Sequence, residues 1–261
     1  VISVKSFWRC VIGGETMKDK PTGYEPLYTL KVVAPDIWIV DGSWIEFYGL
    51  PFPSRMTIVR LSGGDVWVHS PIRIDDELGK RIASIGPVRH LIAPNWIHYA
   101  WVPDWQRYFP DARTFVSPGV VERAARKGIP LRFDEQLGNE SATQWENEMD
   151  QRIAKSGYHR EVVFFHRASR TLILTDLIEN FEKHKMPWWT RPLLGLGGVC
   201  APNGGMPRDM AASFKWHRDH LSRLVREMIS WEPEKVILAH GKWFDKDAVS
   251  ELQRAFRSFL E

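Results

Sequence analysis

At 261 residues and 44% hydrophobic, the chain is long enough to bury a full core, which excludes disorder as its main theme. A net charge of +3 and a pI near 8.8 come from Lys and Arg interleaved with Asp and Glu, not from basic blocks, so nucleic acid is not an expected partner. No apolar run approaches the roughly 18 residues of a membrane span.

Residues 1–16 lack the pattern of a secretory signal and precede an internal Met17; they read equally as an upstream extension or as part of the fold. Residues 17–261 read as one domain. The cysteines Cys10 and Cys200 form no disulfide framework, and a reducing, cytoplasmic setting is the default expectation.

In chain order, residues 36–42, 43–49, 55–61 and 65–71 predict four antiparallel strands joined by Gly, Pro and Ser turns. Residues 75–85 predict a helix, 90–95 a strand, 101–109 a helix, 113–118 a strand and 120–128 a helix. The stretch 131–155 is polar and ambiguous. Residues 151–157 lead into a hairpin, with strands 161–166 and 171–176 around the turn 167–170. Met210, Phe214, His217, Leu221, Leu224 and Met228 fall on one face of a helix spanning 207–231. A last strand, 235–241, and a last helix, 246–260, close the chain. Hairpins followed by alternating strands and helices predict an α/β (α+β) fold, a two-sheet sandwich flanked by helices.

Three apolar runs end on residues able to hold metal. They lead to His98, Asp176 and His240, and parallel strand ends would bring two imidazoles and a carboxylate to one sheet edge. Glu161 opens a strand next to His159, where a carboxylate either orients a histidine, replaces a ligand or is simply exposed. His166 at the hairpin turn is expected to be exposed. His217 and His220 are one turn apart, but a packing role is expected for His217. Ser70 and Ser169 read as turn residues. Tryptophan is over-represented, with 13 copies; the Pro- and Gly-rich loop carrying Trp188 and Trp189 is of a type that lines a pocket, covers a dimer interface or touches a membrane surface, and a pocket or a dimer is expected.

The order of elements and these strand-end residues resemble the metallo-β-lactamase fold, a four-layer αββα sandwich, from about Leu30 onward. Residues 55–61, 65–72, 93–98, 169–176 and 237–241 are similar to a branch of that superfamily described only as a domain of unknown function. The resemblance implies metal binding through His-x-His-x-Asp-His and three later ligands. Here that first motif reads Ala93, Asn95, Ile97 and His98, so only its last histidine remains. His159 falls near the next motif histidine, while Asp176 and His240 match the last two ligands; His69, at the end of its strand, matches the position where the family often has an aspartate beside the metal, which implies a place next to the metal or as a substitute ligand. Three of the four ligands of the second metal position thus remain, and the first position has lost two of three.

The resemblance therefore implies one divalent ion, zinc with iron or manganese as alternatives, or none. The corresponding function is a hydrolase of a small ester, lactone or similar substrate, with Asp176 orienting water and Asn95 or Lys242 stabilising an oxyanion. The alternative is a metal-free protein that keeps the fold and binds a small ligand. A homodimer is left open; nucleic acid and membrane are not expected partners.

Overall fold

The computed structural model describes residues 21–47 and 49–261, so the question of residues 1–16, and Cys10, lies outside the described residues. The first sheet contains β1 (Lys31–Ala34), β2 (Ile37–Phe47), β3 (Leu50–Arg60), β4 (Val66–His69), β5 (Val88–Ala93), β6 (Arg113–Val116) and β7 (Glu135–Gln136), in that spatial order. Strands β1 to β4 pair antiparallel and β4 to β7 parallel. The change of direction follows the sequence: short turns permit hairpins, and the later strands are separated by helices that carry the chain back.

Those helices are α1 (Asp76–Ala83), α2 (Val102–Tyr108) and α3 (Val120–Arg126). Helix α1 starts where the Asp75 carboxylate accepts from the amide of Leu78 at 2.9 Å, with Asp76 and Glu77 in the first turn favouring its dipole.

The second sheet has the order β11-β10-β9-β8, made of β8 (Met149–Lys155), β9 (Arg160–His166), β10 (Thr171–Ile173) and β11 (Lys235–Ile237). The expected hairpin is β9–β10, and β10 and β11 run parallel. Outside this sheet lie α5 (Arg208–Ser213), α6 (Arg218–Ser230), α7 (Ala248–Ala255) and α8 (Arg257–Leu260). A short α4 (Arg191–Gly197) sits beyond the sandwich edge.

Alternation along the strands produces the four layers. Met56, Ile58, Val68 and Leu91 face α1 and α2, where Leu78, Ile82 and Trp105 complete an outer core. Val59, Trp67, Ile92 and Phe115 face inward and meet Val162, Phe164, Ile173 and Ile237 of the second sheet. The far face of that sheet, with Val163, Phe165, Leu172 and Val236, packs on Leu221, Leu224, Val225 and Met228 of α6. The chain has the αββα metallo-β-lactamase-like fold.

Several local expectations are corrected. Residues 37–47 form one strand, with an irregularity between Asp41 and Trp44 where a turn was expected. The helix expected over 207–231 is broken by a 3-10 turn at Lys215–His217, and the last helix divides at Phe256. His166 is buried, its Nδ1 2.8 Å from the Ser169 hydroxyl, because it pairs with both Met149 and Thr171 inside the sheet. The polar stretch before β8 contributes Trp145 to the space between the sheets, where its ring meets Phe115 edge-on at 4.8 Å.

Candidate metal centre

Three strands deliver the candidate ligands to one edge of the sandwich. Strand β5 stops before Pro94, which has no amide hydrogen to continue a ladder. Asn95 then folds the chain: its Oδ1 accepts from the amides of Ile97 at 2.8 Å and His98 at 3.0 Å, a local side-chain turn that fixes where His98 points. Beyond β10 the chain reaches Asp176, and beyond β11 it reaches His240.

Their ligating atoms lie within 4.8 Å of one another. The Nε2 atoms of His98 and His240 lie 3.0 and 3.3 Å from the same oxygen, Asp176 Oδ1. The opposite ring nitrogens are occupied. His240 Nδ1 is 2.8 Å from the carbonyl of Pro53, which obliges that nitrogen to carry the proton, and His98 Nδ1 is 2.5 Å from the Ser70 hydroxyl. Hydrogen-bonded Nδ1 atoms with Nε2 atoms facing one carboxylate are the arrangement that metal-ligating histidines require. The donor set of two imidazoles and one carboxylate therefore fits a borderline divalent ion.

A further layer immobilises Asp176. Asn95 Nδ2 donates to Asp176 Oδ2 at 2.8 Å and to Thr175 Oγ1 at 2.9 Å. Both hydrogens of that amide are committed, so Asn95 positions two candidate ligands and is not available to stabilise an oxyanion. Glu161, fully buried, accepts from three successive amides: Thr175 at 2.7 Å, Asp176 at 2.8 Å and Leu177 at 3.2 Å. Its charge thus buckles the loop that carries Asp176, and neither the exposed nor the ligand reading of Glu161 holds. His159 stands outside the triad, buried between Trp96 Nε1 at 3.1 Å and Glu161 at 3.4 Å. His69 is also outside it, stacked on Trp67, with a buried Nε2 that has no hydrogen-bond partner. Lys242 is exposed and does not line the site; its amide and carbonyl are bonded to Asn180. His220 bonds to the Ile153 carbonyl at 2.9 Å and forms no chelate with His217.

The electrostatics follow from burial and neighbours. Burial alone would raise the Asp176 carboxyl, but the charge of His98 and the hydrogen bonds from His240 and His98 hold it well below the usual carboxylate range. Burial would lower His240, yet its hydrogen bond to Asp176 and the charges of Asp176 and Glu179 raise it. Burial pushes Glu179 up to about 8, helped by the charge of Asp176, and burial pushes His69 down to about 3. His69 therefore stays uncharged at neutral pH.

Asp176, Glu179 and His240 open into a cavity of about 480 Å³. Its walls are apolar, with Phe47, Leu50, Phe52, Leu193 and Met210, and its one guanidinium is Arg123, which lies 4.1 Å over the Trp96 ring. Leu193 and Leu194 line it, but Trp188 and Trp189 do not.

Three residues that matter were not singled out in the sequence. Ser70, read only as a turn residue, holds His98. Arg55 on β3 pairs with Asp41 at 2.7 Å and donates to the carbonyls of Leu238 and Gly241 at 2.8 and 2.7 Å, tying the first sheet to the His240 turn. Glu179 follows Asp176 by three residues. Only the run of polar residues in otherwise apolar strands could have flagged Arg55 and Asp41.

The pattern of a domain of unknown function (DUF4336) matches residues 35–190. The chain belongs to the DUF4336 family. That match covers β2 through the start of the Trp-rich loop and includes His98 and Asp176, while His240 lies beyond it. A comparison with curated proteins finds no match.

Among solved structures, this DUF4336 chain is similar to the DIM-1 metallo-β-lactamase exposed to ceftazidime, at 17% identity, covering 88% of this chain and 96% of that one, with a TM-score of 0.61. It is also similar to the mono-zinc form of the FIM-1 metallo-β-lactamase from Pseudomonas aeruginosa, at 13% identity, 89% and 96% coverage and a TM-score of 0.59. A rubredoxin oxygen:oxidoreductase from Desulfovibrio gigas is matched at 12% identity over 88% of this chain and 61% of that one, with a TM-score of 0.59. At these identities the likeness is one of fold.

Proposed function

We propose that the protein is a metal-dependent hydrolase with a mononuclear site, acting on a small ester or lactone with an apolar acyl group. The observation that carries this reading is the convergence of His98, Asp176 and His240 within 4.8 Å, with Asp176 and His240 lining a roomy cavity. His98 Nε2, His240 Nε2 and Asp176 Oδ1 would hold the ion, zinc or alternatively iron or manganese. When bound, the ion supplies Lewis acidity toward a water and a carbonyl oxygen.

The chain's own groups do the rest. Asn95 and Glu161 hold Asp176, while Ser70 and the Pro53 carbonyl orient the two rings. The apolar walls admit an acyl chain and exclude water around it. Glu179 lines the same cavity and is the group placed to give a proton to a departing alkoxide. Arg123, not Lys242, is the guanidinium positioned to face a polar group of the substrate.

A second reading has its own support: both histidines meet Asp176 Oδ1 directly, at 3.0 and 3.3 Å, an arrangement that also suits a metal-free ligand-binding protein. Hydrolysis of p-nitrophenyl butyrate and of a simple γ-lactone decides between them. Chelator-treated protein should be inactive, recover on adding one equivalent of zinc, and fail to recover in the Asp176→Ala variant. Turnover that is the same in treated protein and in that variant would rule the hydrolase out.

A further inference from the structure

Between Glu182 and Gly197 the chain displays apolar side chains that the fold leaves uncovered. Trp188 is 78% exposed, Trp189 47%, Leu193 50% and Leu196 67%, all within nine residues. Scattered exposed apolar residues are ordinary, but two tryptophans and two leucines on one short segment are not. The segment is anchored from behind: Leu194 is buried with Trp44, Phe181, Met186 and Val199, and the Thr190 hydroxyl donates to the Pro187 carbonyl at 2.7 Å. Packing therefore holds Trp188 and Leu196 outward and gives them no place in the core.

The same segment is basic. Lys183, His184 and Arg191 are exposed, and the only carboxylate, Glu182, is paired with Lys185 at 2.7 Å. Three Lys and Arg against one Glu leave +2 over residues 182–197 with His neutral. Tryptophan prefers the headgroup level of a bilayer, leucine the acyl boundary, and Lys or Arg the anionic phosphates. A second copy of the chain fits less well, because a self-complementary contact would set +2 against +2.

We infer that residues 183–197 form a docking surface for an anionic lipid bilayer. Peripheral docking of this kind needs no spanning helix and departs from the expectation that membranes are not partners. Leu193 is both exposed and part of the cavity wall, so docking sets the cavity mouth against the lipid. Delivery of an acyl substrate by that route rests on the hydrolase reading; docking itself does not.

Sedimentation of the full chain with vesicles of phosphatidylcholine, alone or with about a third phosphatidylglycerol, tests this. The protein should pellet with the anionic vesicles and be released by salt. Trp188→Ser combined with Leu196→Ser should weaken binding at least about tenfold. Lys183→Gln should weaken it about fivefold. Because these side chains are exposed, both variants should keep wild-type thermal unfolding and metal content. Binding to anionic vesicles no greater than to neutral ones, or variants that bind as well as wild type, would overturn the inference. So would a dimer in sedimentation velocity that the double variant converts to monomer with no vesicle binding by either, since the face would then belong to a second copy.

Discussion

Glu161 carries the sharpest residue-level prediction. A carboxylate buried under three amides is stabilising only while it keeps its charge and both oxygens as acceptors. Glu161→Gln should lower stability by about 2–3 kcal/mol in urea unfolding, because an amide offers one acceptor in place of two. If the loop is held by Glu161, metal affinity should fall with it, although Glu161 touches no metal.

His90 makes a pH prediction. It is 5% exposed, and burial pushes its pKa down to about 4, against the opposing pull of Asp65; at 3.9 Å that carboxylate is too far for a hydrogen bond. The folded pKa lies below the unfolded one, so the unfolded chain takes up a proton first as pH falls. Stability contributed by neutral His90 is therefore complete above about pH 6.5 and is lost as pH falls toward about 4, at about 1.4 kcal/mol per pH unit. His90→Phe should flatten that part of the acid limb in chemical denaturation measured from pH 7 to 4; an unchanged slope would count against the buried neutral imidazole.

At the scale of elements, the turn after β11 places His240. Gly241 has φ +83°, and a Cβ there would come within 2.2 Å of the Asn180 carbonyl oxygen. Gly241→Ala should cost about 2 kcal/mol or more in thermal or urea unfolding and displace His240. The strand ends were legible in the sequence because short apolar runs stopped at His and Asp, and the hairpin of β9 and β10 because its turn, residues 167–170, has three polar residues in four between two apolar runs. The break in the helix near Lys215 was not, since Met210, Phe214 and Leu221 keep a helical spacing across it and all pack into one core. Trp145 was hidden for the opposite reason. Its neighbours are polar, and only the gap between two sheets explains why one indole from that stretch is buried.

Across the whole molecule, the two sheets meet through the side chain of Arg55 as well as through apolar packing. Arg55 and Asp41 are both nearly inaccessible, and Arg55 reaches across to the carbonyls around His240. Arg55→Met leaves Asp41 buried with only Lys31 as a cationic partner, so a loss of about 3–5 kcal/mol is expected in urea unfolding. Such a pair was invisible in one sequence because its partners are distant from the carbonyls they hold. The fold and the triad were visible because each depends on local pattern. Much of what surrounds the triad was not, since Ser70 and Arg55 act, and Glu161 reaches the Asp176 loop, through contacts made only when the strands are assembled.

The central claim is that His98, Asp176 and His240 hold one metal ion. Elemental analysis of protein purified without a metal-binding tag tests it most directly. The account predicts close to one equivalent of a transition metal per chain, lost in His98→Ala and in His240→Ala. Metal-free protein that takes up none on adding zinc, or two equivalents per chain, would contradict it.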